Sequence, residues 1–454
     1  MTAIEQAVAF IERKMTSIRR EDVSFIGYYG MAGFSLLKSA AFPNVTSLNG
    51  YAFAYDEALE TVELSTGLSR IGGYAFVECR SLVSVTGLEN VTSVESFAFS
   101  GCAQLESVHL PSLTTIGTCA FANAGVRTVE ADALASITYR TFSGCSRLQS
   151  VSLPAVTNVT NEGFYECTAL EEVNLPLATD VLSRAFYGCT SLKHVSMPNL
   201  RFVWDNTFIN CTALSEIDLP EVSVIGNGAF SGCVHLERVS CPKAVTISNS
   251  AFFRCDSLRE LSFPNATSFY ASTFSALSNL ERIDLAAATS IPLGAFSNNL
   301  NLSYVSIPEA TTIGQSAFYF CSKLKTIYCP KVTSIGYGAF SSCMQLASIY
   351  LPNVQSIGSS AFYSCRTLSA VYLPVSTIPA ITNTTFASSL LSVSDQYTHQ
   401  YGSIYVLSSM VDAFRSAANW SYYRSRITAI TDEMLESLQN ETQALQTDEQ
   451  TEGE

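Results

Sequence analysis

A phenylalanine recurs about every 22 residues through most of this chain, and that period limits the fold to very few possibilities. The series runs Phe53, Phe76, Phe99, Phe121, Phe142, Phe164, Phe186, Phe208, Phe230, Phe252, Phe274, Phe296, Phe318, Phe340 and Phe362, with Met31 one period ahead of it. Early spacings vary by one residue, and later ones are regular. A unit this short cannot bury an apolar face alone; it does so by stacking on copies of itself. The period therefore predicts a repeat solenoid where 454 residues would ordinarily suggest several domains.

One repeat reads Pro330-Lys-Val-Thr-Ser-Ile335-Gly336-Tyr-Gly-Ala-Phe340-Ser-Ser-Cys343-Met-Gln-Leu346-Ala-Ser-Ile349-Tyr-Leu351-Pro352. Side chains alternate across a strand, so Ile349 and Leu351 should point inward and Ser348 and Tyr350 outward. Proline follows this strand in many units, including Pro43, Pro111, Pro154 and Pro374. It lacks the backbone donor needed to extend the ladder and sets one strand length for every coil. The glycine after Ile335, repeated at Gly27, Gly72, Gly117, Gly226, Gly314 and Gly358, suggests a turn with positive φ. Phe340 and its copies should stack as a spine. Around Phe121 the pattern loses two core residues, to Ala124 and Arg127, which predicts a bulged or looser coil.

These residues resemble the BspA-type leucine-rich repeat, L-P-x-x-x-T-x-I-G-x-x-A-F-x-x-C-x-x-L-x-x-V-x. The resemblance spans roughly Ile26 to Pro374. It implies a right-handed solenoid with one short parallel strand per coil and helical N- and C-terminal caps. It also implies adhesion or binding to other macromolecules, chiefly on microbial surfaces, without enzymatic activity in the repeats.

Eleven of the 14 cysteines share one repeat slot, from Cys79 and Cys102 to Cys343 and Cys365. Identical inward rotamers stacked in register are poorly oriented for disulfides, so they read as buried free thiols. No metal-ligand spacing occurs among cysteines and histidines, and no cofactor is expected. The net charge of −14 is concentrated at the end, where residues 431–454 hold eight acids and no base. Without a basic stripe, neither nucleic acid nor an anionic membrane is a natural partner.

The expected organisation is an amphipathic helix or cap over 1–22, about sixteen repeats over 23–375, a degenerate repeat and cap over 376–430, and an acidic, mostly solvated tail over 431–454. The helix rests on Ile4, Val8, Ile11, Met15 and Ile18, spaced alternately four and three apart. Neither a signal peptide nor an apolar run long enough to span a membrane is evident. The segment Ile404 to Trp420 is similar to the closing segment of BspA-type proteins from bacteria and prophages, with Leu407 in place of proline.

An enzyme would need a compact catalytic signature, and His109, His194, His235 and His399 lie in different units without one. Two readings remain: an adhesin-like protein binding a protein or glycan at a cell surface, and a tail-associated or receptor-binding component of a phage virion. The candidate binding residues are Tyr304, Tyr328, Tyr350 and Tyr372, outward-facing aromatics near the C-terminal end. Such a strip could hold sugar rings or apolar groups. It could equally be a cross-strand ladder that only stabilises the sheet.

Overall fold

A computed structural model describes residues 14–392 and 401–440 of the chain. The chain winds as a parallel-strand solenoid of about 18 coils, with few helices and a small helical C-terminal region. It comprises two compact units. One holds the residues up to Val222 with Ala229–Val234; the other holds Ser223–Gly228 and the chain from His235 onward.

In both units each coil carries the expected strand, such as Ser150–Ser152 or Ser348–Tyr350. A second, two-residue strand accompanies it, such as Asn158–Val159 or Ser334–Ile335, so the core lies between two parallel ladders. Registers keep like residues together: Val151 pairs with Val129 and Val173, and Ile335 with Ile313 and Ile357. Within the first unit the spine phenylalanines Phe164, Phe186 and Phe208 stack with ring centroids 5.2 and 5.5 Å apart. Within the second, Phe296, Phe318 and Phe340 do so at 5.1 and 5.2 Å. All are fully buried. The coil after Phe121 is not loosened, because Val126 is buried where Leu is lost and the Phe99–Phe121–Phe142 stack continues at 5.1 and 5.5 Å.

The polar slots of the repeat join each coil to the one before it. Thr333 Oγ1 donates to the carbonyl of Thr311, and Thr311 to that of Thr289, each at 3.1 Å. The ladder cysteines are buried free thiols that donate to the carbonyl of the spine phenylalanine one coil back. Cys189 meets Phe164 at 3.2 Å and Cys343 meets Phe318 at 3.2 Å. Burial pushes the thiols of Cys145, Cys189, Cys233, Cys321 and Cys365 up to about 12, far from thiolate reactivity at neutral pH. The same slot holds Asn299, whose Nδ2 donates to the Phe274 carbonyl at 2.8 Å, and Asp56.

Two expectations are corrected. The glycines after the two-residue strand do not take positive φ; they are absent from the left-handed positions of the chain. Their reason is close approach. A Cβ on Gly336 would lie 2.6 Å from Gln315 N, and one on Gly117 would lie 2.2 Å from Ser96 N. At Gly27, in the first coil, the added carbon would meet only the Phe25 side chain. The left-handed turns fall instead two residues before and two after the spine residue, as at Arg140 and Gly144, where φ is 53° and 73°.

The helix or cap expected over 1–22 is contradicted as a helix only at its C-terminal end, where Ser17–Arg19 is a strand paired with Ser39–Phe42. That rung satisfies backbone groups an open edge would leave exposed, and such pairing outweighs a helical spacing of apolar residues. Ile4, Val8 and Ile11 lie outside the described residues. At the other end, Phe386 stacks on Phe362 at 5.4 Å and is closed off by Trp420 and Tyr423, both buried. Trp420 Nε1 donates to the Pro379 carbonyl at 2.7 Å. The short helix Val411–Ser416 lies within this region, and residues 432–440 form a further helix.

Candidate functional site

Inward slots are committed to stacking, so chemistry available to a partner lies on the outward strand positions. In the second unit these form two columns. One begins with Glu260, Arg282 and Tyr304 in successive register, and the Arg282 guanidinium carbon sits 4.1 Å from the Tyr304 ring centre. The other column holds Asp284, Ser306 and Tyr328 in register. Tyr350, Tyr372 and Tyr405 occupy the corresponding position of the later strands, paired in that order.

The structure therefore splits the four predicted tyrosines. Tyr304 pairs with Thr326, one column away from the others. Tyr328 shares the tyrosine column but is only 5% exposed, so it supports the sheet and presents little surface. Tyr350 and Tyr372 stand next to each other, half-buried, as predicted for outward positions. Burial raises the phenol pKa of Tyr350, which keeps its hydroxyl a donor at neutral pH. Sequence reasoning missed Tyr405, whose ring stacks on Tyr372 at 4.9 Å with 14° between planes. The signal was available: Ile404-Tyr405-Val406 repeats the alternation of Ile349-Tyr350-Leu351, although a longer insertion breaks the period.

A second aromatic ladder escaped the sequence reading entirely. In the first unit Tyr29, Tyr51, Tyr74 and Phe97 stack with centroids 4.7, 4.6 and 4.8 Å apart. All four sit at the left-handed corner before the spine residue, with φ between 58° and 59°. A bulky side chain is disfavoured in that conformation, and ring stacking offsets the cost. The sequence signal was an aromatic two residues before Phe53, Phe76 and Phe99.

Among the described residues, no group of three or more His, Cys, Asp or Glu side chains is placed to hold a metal ion. His109 is exposed on its strand and its Nδ1 lies 3.1 Å from Glu130 Oε2. No described helix is long and apolar enough to cross a membrane.

Two short parallel ladders, a phenylalanine spine and an outward strand face define a leucine-rich repeat protein. More narrowly, the chain belongs to the BspA type leucine rich repeat region family, whose model matches residues 4–127, 115–221, 201–324 and 289–398. Similar solved structures include a leucine-rich repeat protein from Bacteroides ovatus, 22% identical, covering 87% of this chain and 92% of that one at a TM-score of 0.49. A leucine rich cell surface protein from Faecalibacterium prausnitzii is 21% identical over 72% of this chain and 91% of its own, at a TM-score of 0.37. A leucine-rich repeat protein from Eubacterium ventriosum is 19% identical over 76% and 86% of the two chains, at 0.34. None of the curated proteins matches.

Proposed function

We propose that this chain is a non-enzymatic binding scaffold that engages a glycan or protein partner at a surface through the outward strand face of its second unit. The observation that carries this reading is the column of half-buried tyrosines, Tyr350, Tyr372 and Tyr405, set in register on one parallel sheet. Each ring offers apolar area with a hydroxyl at its tip, the combination most often found where proteins meet partners. Membership in a repeat-scaffold family supports a binding role.

The test is the double variant Tyr350→Ser, Tyr372→Ser, compared with the parent for adsorption to a mucin-coated surface, which displays both peptide and acidic glycan. Adsorption should be lost while the melting curve stays nearly unchanged. If adsorption survives, or falls only because the fold does, the column is a structural ladder.

A further inference from the structure

The last strands of the second unit form more than a wall of tyrosines. Beside that wall the neighbouring column shrinks to Ser348, Ala370 and Ser403, in direct register. Small side chains beside standing rings leave a trough along the sheet. Its end is set by the final strand, Ile427–Ala429, which pairs Ile404 with Ile427 and Tyr405 with Thr428. Ile427 is buried, so alternation puts Arg426 and Thr428 on the outward face with the tyrosines.

Arg426 is held in an unusual way. Its guanidinium carbon lies 3.8 Å from the centre of the exposed Tyr401 ring, while its Nε is buried with no hydrogen-bond partner among the described residues. An anion cannot reach that buried Nε, so it would meet the outer guanidinium nitrogens, whose planar fork suits a carboxylate. Tyr405 has Tyr372 stacked on one ring face; opposite the other, the register places only Thr428, too small to cover a ring. Tyr405, the column of small residues and Arg426 thus fall at neighbouring positions of the last two strands.

We infer that this end of the trough is a subsite for an acidic sugar: a pyranose stacked on Tyr405 over Thr428, with its carboxylate held by Arg426 and the rest of the glycan running beside Tyr372 and Tyr350. The inference rests on the scaffold reading above and names the ligand class. An extended peptide fits less well. The last strand is engaged at its edge, where Arg415 Nη2 donates to the Ile427 carbonyl at 2.9 Å, so a peptide cannot add there as a further strand.

The full-length protein should be titrated calorimetrically with a galacturonic acid hexamer and with the neutral galactose hexamer of the same linkage. The acidic hexamer should bind and the neutral one only weakly. Arg426→Gln should lower affinity for the acidic hexamer about tenfold or more, with partial recovery in Arg426→Lys, which keeps charge but loses the planar fork. Thr428→Phe, at a half-exposed position that tolerates size, should block binding by filling the space over Tyr405. Equal affinity for both hexamers, binding of neither, or binding indifferent to Arg426→Gln and Thr428→Phe overturns the subsite. Equally tight binding of hexaglutamate, lost in Arg426→Gln, assigns Arg426 to a protein partner and also overturns it. Tyrosine-dependent adsorption to mucin without hexamer binding sinks this inference alone and leaves the scaffold reading standing; tyrosine-independent adsorption sinks both.

Discussion

Asp56 sits in the cysteine slot of an early coil, and replacing it with Asn should stabilise the protein above neutral pH. Its side chain is fully buried. Oδ1 accepts from Phe34 N at 2.6 Å, but Oδ2 has no hydrogen-bond partner among the described residues. Asn299 shows what the slot requires: its Oδ1 accepts from Leu277 N at 2.8 Å and its Nδ2 donates to the Phe274 carbonyl at 2.8 Å. Asp56 stands in the same sequence relation to Phe34 and Met31, so its second oxygen occupies the place of a donor. A neutral carboxyl could donate there, whereas a carboxylate cannot. Burial accordingly raises the pKa of Asp56 from 3.8 to about 7, against smaller opposing effects of backbone hydrogen bonds from Phe34 and Gly33. The folded state then binds a proton more tightly than the unfolded chain, so stability falls as pH rises from about 4 to about 7 and is level on either side. A shift of this size corresponds to about 4 kcal/mol, and to about 2 kcal/mol if water entry relieves part of the burial. Asp56→Asn removes the charge and supplies the missing donor. Urea unfolding followed by far-UV circular dichroism should show parent and variant similar near about pH 4, with the variant more stable by about 2–4 kcal/mol near about pH 8. A parent–variant difference that does not change with pH, or a variant weaker at pH 8, would refute the slot argument.

Further predictions follow from packing. Phe186→Ala, which removes a ring stacked on both Phe164 and Phe208, should cost about 3–5 kcal/mol in urea unfolding and lower amide protection in both adjoining coils. Iodoacetamide should leave Cys189, Cys233 and Cys343 unmodified in the native protein and label all three after unfolding, as read by peptide mass spectrometry; intercoil disulfides would contradict the hydrogen-bonded thiol ladder. Gly336→Ala should destabilise by about 1–3 kcal/mol, because its Cβ would press on the backbone of Gln315 and Gly314 and not on a movable side chain.

What the sequence revealed depended on whether a position has one chemical requirement or only a conformational one. The spine, the strand residues Ile349 and Leu351, and the cysteine slot were legible because each must fill a similar space in successive coils. The left-handed corners were not. They hold glycines such as Gly144 and Gly232, an aromatic run at Tyr51, Tyr74 and Phe97, and also Glu78, Arg140 and Ser316, too mixed a set to read as one pattern. Their backbone is set by the coils above and below. The glycines were noticed but misread, since a sequence cannot separate a glycine that turns the chain from one that lets another backbone approach. For the site, alternation correctly put Tyr350 and Tyr372 outward. It could not foresee that Tyr328 would be covered, nor that Tyr405 would rejoin the column after an insertion.

The tyrosine column invites the objection that stacked rings simply stabilise a sheet. Cross-strand aromatic pairs contribute about 0.2–1 kcal/mol each, so the Tyr350–Tyr372 and Tyr372–Tyr405 neighbours together account for at most about 2 kcal/mol. Elsewhere in the same unit the column carries Ser262, Asp284 and Ser306, and those coils keep their spine contacts and strand pairing. A stabilising rung is therefore not a requirement of the fold at this slot. Stabilisation also has no need of the features found around the rings: a floor of Ser348, Ala370 and Ser403, and a guanidinium with a buried, unmatched Nε at the end. A ladder selected for stability alone would do better with its rings covered, and Tyr328, at 5% exposure, shows that this slot can be buried. Half-buried rings beside that small floor keep apolar area that the fold itself leaves uncovered.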